Sequence, residues 1–335
     1  MIESSKVEEK RTVSPKEKEV DKTIQGNILR PKTLGDYVGQ ETIKKHMSVS
    51  MWSAKIRWEV LEHMLFYWPP GLGKTTLSQI IAGEMWTNLR ATSGPAIEKQ
   101  SDLVSILSNI EEGDILFIDE IHRLRPQVEE ILYTAMEDKH IEKMVWAWTW
   151  AKIVKLALKP FTLVGATTRL SSLSSPLRDR FWNVMKLDFY DENDIWKIIK
   201  KNCDILELQL CDITTNIIAK KSRGTPRISN RLLKIVRDYK TIWKDVTDPS
   251  TLEEIFKEIW IDSLWLDYLD RKYLDTLYSK FASSAVWLNT LASAIGEEES
   301  TLEDVVEPYL LQIGFIERTP RGRKITLAWE KHITK

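Results

Sequence analysis

The stretch Trp68-Pro69-Pro70-Gly71-Leu72-Gly73-Lys74-Thr75-Thr76 reads as a phosphate-binding loop, complete except for a tryptophan where the first glycine belongs. In the pattern G-x-x-x-x-G-K-[ST], backbone N–H groups wrap the phosphates, the lysine meets the β/γ charge and the hydroxyl holds Mg²⁺. Gly71, Gly73, Lys74, Thr75 and Thr76 stand in place. Upstream, Met64-Leu65-Phe66-Tyr67 is a short apolar run suited to a buried strand, and Thr75 to Met85 reads as an amphipathic helix. Strand, loop and helix are the setting the motif requires.

About 40 residues on, Ile115-Leu116-Phe117-Ile118-Asp119-Glu120 sets two acids at the end of an apolar run. An inner strand of a parallel sheet is apolar on both faces, and its C-terminal end lies at the sheet's ligand crevice. Asp119 is thereby expected to hold the Mg²⁺ shell and Glu120 to polarise an attacking water. On its own such a pair is more often a solvated strand end; beside the loop it reads as the second half of a nucleotide site.

The 335 residues, 43% hydrophobic and 29% charged, suffice for two or three domains with real cores. Formal net charge is −1, so any contact with a polyanion must be local. Cys203 and Cys211 lack metal-ligand spacing and read as buried packing residues in a reducing cytoplasm. Residues 1–25 read as a disordered charged tail, with neither signal peptide nor membrane span expected.

Tryptophan is the compositional anomaly, with 14 Trp against 13 Gly. Together they make up about 8% of the chain, close to the usual glycine share of about 7%. Trp68 fills a glycine slot, and Trp146, Trp148 and Trp150 crowd a hairpin turn, where φ > 0 favours Gly or Asn. These positions read as misread glycines, the result expected if UGA codons for glycine were translated as tryptophan.

Helical and strand-like segments alternate to about Phe189, with strands near 64–67, 115–118 and 161–165, which is an α/β pattern with a parallel sheet. The runs Ile141–Val145 and Ile153–Leu158 flank a turn and read as an inserted hairpin. From Tyr190 to Ile259 the text is helical, broken at Arg223-Gly224-Thr225-Pro226-Arg227. The last part ends in two short strands around a basic turn, which suggests a winged helix. From Ile316 onward Arg318, Arg321, Arg323, Lys324, Lys331 and Lys335 oppose only Glu317 and Glu330, a local cationic surface suited to phosphate contact.

From about Leu29 to Lys335 the chain resembles RuvB, the AAA+ motor of bacterial Holliday-junction branch migration. The resemblance is carried by the loop, Phe117-Ile118-Asp119-Glu120-Ile121-His122-Arg123-Leu124, Gly165-Ala166-Thr167-Thr168-Arg169, Ser174-Ser175-Pro176-Leu177-Arg178-Asp179-Arg180-Phe181, Arg223-Gly224-Thr225-Pro226-Arg227 and Arg318-Thr319-Pro320-Arg321-Gly322-Arg323. Trp58, Trp68, Trp86, Trp148, Trp182 and Trp287 stand where RuvB-like sequences usually carry glycine.

The resemblance implies an α/β AAA+ domain over 26–188 with the hairpin inserted at 141–158, a helical lid over 189–259 and a winged-helix head over 260–335. It implies ATP as substrate with Mg²⁺ held through Thr75 and Asp119. The implied catalytic residues are Lys74, Asp119, Glu120, Thr168 as sensor 1, Arg180 as a finger acting in trans, and Arg227 as sensor 2; Arg178 competes for the finger's role. The implied nucleotide contacts add Leu29, Arg30, Glu137, Asp138, Lys139 and Tyr190 to the loop residues. Arg318 and Arg323 are the implied DNA contacts, although Glu297-Glu298-Glu299 is acidic where some relatives are basic. Met144 and Val145, near the hairpin tip, are the implied docking site for RuvA, with the resolvase RuvC as a further partner of a homohexameric ring acting in recombination, repair and the SOS response. Two rival readings are a DNA-binding scaffold whose loop is closed by Trp68, and a clamp-loader or initiator ATPase.

Overall fold

The computed structural model describes residues 28–67, 70–147, 150–242, 245–259 and 266–333, without the side chains of 143–153, 330, 332 and 333. The charged tail at 1–25, Trp68, and the side chains of Met144 and Val145 lie outside the described residues. The chain divides into two compact units, one built mainly of 30–188 and the other mainly of 189–335.

In chain order the first unit runs α1 (Glu41–Arg57), β1 (Met64–Tyr67), α2 (Lys74–Met85), β2 (Leu89–Ser93), α3 (Gln100–Ser108), β3 (Ile115–Asp119), α4 (Pro126–Glu137), β4 (His140–Ala147), β5 (Trp150–Ala157), β6 (Thr162–Thr167), α5 (Ser175–Arg178) and β7 (Asn183–Lys186). Five of these strands make one sheet in the order β2-β3-β6-β1-β7, with every ladder parallel. The innermost strands are the apolar ones: Met64, Leu65, Phe66, Leu116, Ile118, Leu163 and Val164 are fully buried. A parallel sheet covered on both faces demands this. Tyr67 pairs with Thr167, and Ile118 with Gly165, so β1, β3 and β6 end along one edge. Crossover order then sets their carboxyl ends at the crevice.

The hairpin β4–β5 forms its own antiparallel pair, with Met144 opposite Ile153 and Val145 opposite Lys152. Sequence reading missed β2 and β7. The first, Leu-Arg-Ala-Thr-Ser, has no buried side chain, and the second is four residues long, so neither carries a hydrophobic run.

Two helix ends bear on the tryptophan anomaly. Trp58 closes α1 at φ 56° and Trp86 closes α2 at φ 57°, both left-handed. The N–H of Trp58 donates to the Lys55 carbonyl and that of Glu59 to Ala54; Trp86 and Thr87 repeat this with Gly83 and Ala82. This is the Schellman arrangement, whose left-handed residue is usually glycine.

The second unit opens with four helices, α6 (Glu192–Ile205), α7 (Asp212–Lys221), α8 (Pro226–Thr241) and α9 (Pro249–Glu258). Asp191 and Asp248 cap α6 and α9 through Asp194 N and Thr251 N. Cys203 is buried, but Cys211 is exposed, contrary to the packing role expected of it. It takes the N-cap position of α7, where its sulfur accepts from Thr214 N at 3.5 Å. After these come α10 (Tyr268–Asp275), α11 (Leu288–Ile295), α12 (Glu307–Gln312), the wing strands β8 (Ile316–Thr319) and β9 (Gly322–Ile325), and α13 (Leu327–Ile333). Their core gathers Leu274, Leu277, Leu291, Leu302, Val306 and Leu310, with Trp329 packed 5.3 Å from Phe315.

Candidate nucleotide site and wing

Gly73 sits at φ 100° immediately before α2. A Cβ there would lie 2.6 Å from the Tyr37 hydroxyl, so both the conformation and the space select glycine. Tyr37, itself buried, donates to the Leu72 carbonyl at 3.1 Å and braces the loop. Nothing in the sequence pattern marked this residue. The loop thus delivers the first N–H groups of α2 toward the crevice, where a helix N-terminus favours phosphate. Lys74, 7% exposed, donates to the Thr167 carbonyl at the tip of β6 at 3.2 Å. A buried ammonium beside a helix N-terminus suits a polyphosphate.

Asp119 ends β3 and accepts from Glu120 N at 3.0 Å. Glu120 follows at φ 50°, a left-handed turn that redirects its side chain at the strand end. Its Oε2 accepts from Thr168 Oγ1 at 3.3 Å and lies 3.4 Å from His122 Nδ1. His122 Nδ1 is also 2.9 Å from Thr167 Oγ1, which accepts from Arg169 N at 3.0 Å. Lys74, Glu120 and Thr168 are therefore tied together through the end of β6. His122 belongs to the same network; it lies two residues beyond the acidic pair, inside a stretch that carries the resemblance, but no role was expected of it.

Thr75 and Asp119 are both half-buried, and among the described residues no cluster of three or more His, Cys, Asp or Glu could cage a metal. That donor set fits Mg²⁺, which takes one or two protein oxygens and fills its octahedron with water and substrate phosphate.

Arg180 follows α5. Its Nη2 donates to Glu137 Oε2 at 2.6 Å, its Nη1 to the Pro176 carbonyl at 2.7 Å, and its guanidinium stands 5.0 Å from the Tyr133 ring centroid. Tyr133 is held in turn by buried Glu129, at 2.9 Å, and by Ser174, at 2.7 Å. Arg178 stands 3.8 Å from Asp179. Asp138 ends α4 and Lys139 lies at φ 53°, so the 137–139 turn adjoins the arginine through Glu137. Arg30 is half-buried.

In the second unit Leu29 and Tyr190 are buried. Tyr190 N donates to the Gly224 carbonyl at 2.9 Å, so Tyr190 abuts the turn that leads into α8 and Arg227.

On the wing, Arg318 and Arg323 both turn to Glu307, which is fully buried. Arg318 Nη2 donates to its Oε2 at 2.6 Å, while Arg323 Nε at 2.9 Å and the Tyr273 hydroxyl at 3.0 Å share its Oε1. Burial, then the Glu307 charge, hold the Tyr273 phenol far above its usual range. The Arg318 side chain keeps 46% exposure and that of Arg323 15%. Arg321, Lys324 and Lys331 are exposed.

An acid-tipped inner strand beside a phosphate loop that opens a helix, on a sheet ordered β2-β3-β6-β1-β7, defines a P-loop ATPase of the AAA+ class. The chain matches the RuvB P-loop domain of Holliday junction DNA helicases over 29–187, the RuvB lid domain over 190–255 and the RuvB C-terminal winged-helix domain over 263–334. It is similar to the Holliday junction branch migration motor RuvB of Thermotoga maritima, with 46% identity and a TM-score of 0.84 over 92% of this chain and 98% of that one. A point variant of that protein matches at 46% identity and a TM-score of 0.85, over 91% of this chain and 98% of the variant's. The chain belongs to the RuvB family. It is an ATPase and DNA helicase of the branch-migration type. No helix among the described residues is long and apolar enough to cross a membrane.

Proposed function

We propose that this protein drives Holliday-junction branch migration in concert with RuvA, as a homohexameric cytoplasmic ring serving recombination and DNA repair. The observation that carries the reading is the network at one sheet edge joining Lys74, Glu120 and Thr168. Lys74 and the loop amides of Gly71, Gly73, Thr75 and Thr76 bind ATP. Thr75 and Asp119 hold Mg²⁺, which neutralises charge on the phosphates when bound. Glu120 orients water with its carboxylate aligned by Thr168 and His122, and Arg180 reaches a neighbouring subunit's nucleotide, where a planar cation stabilises the transition state. Glu137, Asp138 and Lys139 complete that trans contact. Leu29, Arg30 and Tyr190 flank the base, and Arg227 ties the lid at 189–259 to the phosphates.

The head at 260–335 grips duplex arms through Arg318 and Arg323, supported by Arg321 and Lys324. Glu307 anchors both arginines, and their contacts with phosphate carry no base information, which suits a motor that crosses any sequence. Met144 and Val145 on the hairpin dock RuvA, and RuvC joins the assembly as resolvase.

The deciding experiment combines the protein with RuvA, ATP, Mg²⁺ and a synthetic four-way junction, and follows strand separation by gel. Junction-dependent migration is expected, and Glu120→Gln should bind ATP while losing about a hundredfold or more in turnover. ATP hydrolysis with no migration on any junction would move the protein to another AAA+ role.

A further inference from the structure

Arg223 lies in an unusual conformation for its type. It is a non-glycine residue at φ 52°, 4% exposed, in the short loop between α7 and α8. Such a backbone persists only where its surroundings over-determine it, and the side chain shows what does so. Nη2 donates to Asp270 Oδ2 at 2.6 Å, with the two side chains 2% and 0% exposed. The guanidinium also stands 4.5 Å from the Tyr309 ring centroid. Asp270 belongs to a capping box in which its Oδ2 accepts from Asp267 N at 2.9 Å, while Asp267 accepts from Asp270 N at 3.0 Å. Arg223 therefore plugs into the start of α10 and onto α12.

The next residue faces the other way along the same turn. Gly224 has φ 63°, and a Cβ there would lie 2.8 Å from the Tyr190 carbonyl. Arg227 follows after Thr225 and Pro226. Adjacent residues of one turn thus touch the head, through Arg223, and Tyr190, through Gly224, three residues before Arg227.

We propose that Arg223 is a positioning residue for energy transmission: its buried pair with Asp270 makes the nucleotide-reading turn and the DNA-gripping head move as one piece. This rests on the reading of Tyr190 and Arg227 given above. Without the pair the turn still reads nucleotide and the head still holds DNA, but the stroke is lost between them.

The test uses the full chain with RuvA and a synthetic junction, and measures ATP consumed per junction migrated. Arg223→Met and Asp270→Asn are expected to keep junction-bound hydrolysis within about threefold while migration falls about tenfold or more, and Arg223→Lys should recover part of the loss. If either single variant fails to fold, as its thermal midpoint would reveal, the paired Arg223→Met/Asp270→Leu replacement keeps the test in a folded chain, because an apolar pair removes both buried charges together. An unchanged ratio of ATP to migration overturns the proposal. Absence of migration by the unaltered protein overturns instead the reading on which it rests.

A second inference stands on separate observations. Trp58 and Trp86 take the left-handed Schellman position with 95% and 88% exposure, and Trp182 and Trp287 are 81% and 61% exposed. Lys55, 5.1 Å from the Trp86 ring, is the only cation stacked on either helix-end indole among the described residues. Trp329 is the opposite case, 5% exposed in the head's core. We infer that residues 58 and 86 are glycine in the native protein, encoded by UGA, whereas Trp329 is encoded by UGG. The same decoding at position 68 restores the first glycine of the phosphate loop. Sequencing the gene and the native peptides covering 58, 86 and 329 tests this. UGA with glycine at the first two and UGG with tryptophan at the third is the expected result; tryptophan in the native peptide at 58 or 86 overturns it.

Discussion

His63, just before β1, shows how a single half-buried group makes this fold sensitive to acid. Leu163 N donates to its Nδ1 at 2.9 Å, and its ring lies 5.6 Å from that of Phe161, so the accepting nitrogen must be unprotonated. Burial pulls its pKa down from 6.5 to about 4. Between those values the unfolded chain binds a proton that the folded chain refuses, so stability is complete above pH 6.5 and drains away as pH falls. The full loss is about 3 kcal/mol below pH 4, and about 2 kcal/mol of it should have gone at pH 5. Denaturant midpoints at pH 7.5 and 5, for the protein and for His63→Gln, measure this. An equal decline in both would remove His63 as the cause. At this scale the sequence was clearest where chemistry demands a residue type, as with Lys74 and Glu120. It was silent on Tyr37, whose role is to contact a backbone carbonyl 35 residues away.

At the scale of elements, legibility followed burial. β1 and β3 announced themselves because an inner parallel strand is apolar throughout. The edge strands β2 and β7 were invisible for the same reason. The wing was recognisable from two short strands around a basic turn, but the pattern of charge could not show that Arg318 and Arg323 share a buried carboxylate. Glu307 sits in α12, more than ten residues upstream, and reads in the sequence as one acid among several. A pair of arginines anchored on Glu307, with Glu303 3.8 Å from Arg318 and 3.4 Å from Arg323, is held in one geometry, which lowers the entropy lost when a phosphate is met. The hairpin β4–β5 was legible as two runs and a turn, although its strands extend to His140 and Ala147 on one side and Trp150 on the other.

For the whole molecule the decisive residue under the proposed function is Arg180, since a finger that works in trans would make activity a property of the ring. Mixing Arg180→Ala chains with Glu120→Gln chains should restore a measurable part of the hydrolysis that each lacks alone, because some interfaces then pair an intact finger with an intact water-orienting acid. Steady-state ATPase across mixing ratios reads this directly, and a strictly additive, inactive mixture would place the arginine's action within its own subunit. In the single chain Arg180 is bound to Glu137 and lies against Tyr133. On that proposal a solitary subunit keeps its trigger latched to its own surface, and a neighbour bearing nucleotide would have to win the guanidinium away from a carboxylate before fuel could be burned, which would discourage idle consumption before the ring had closed around DNA.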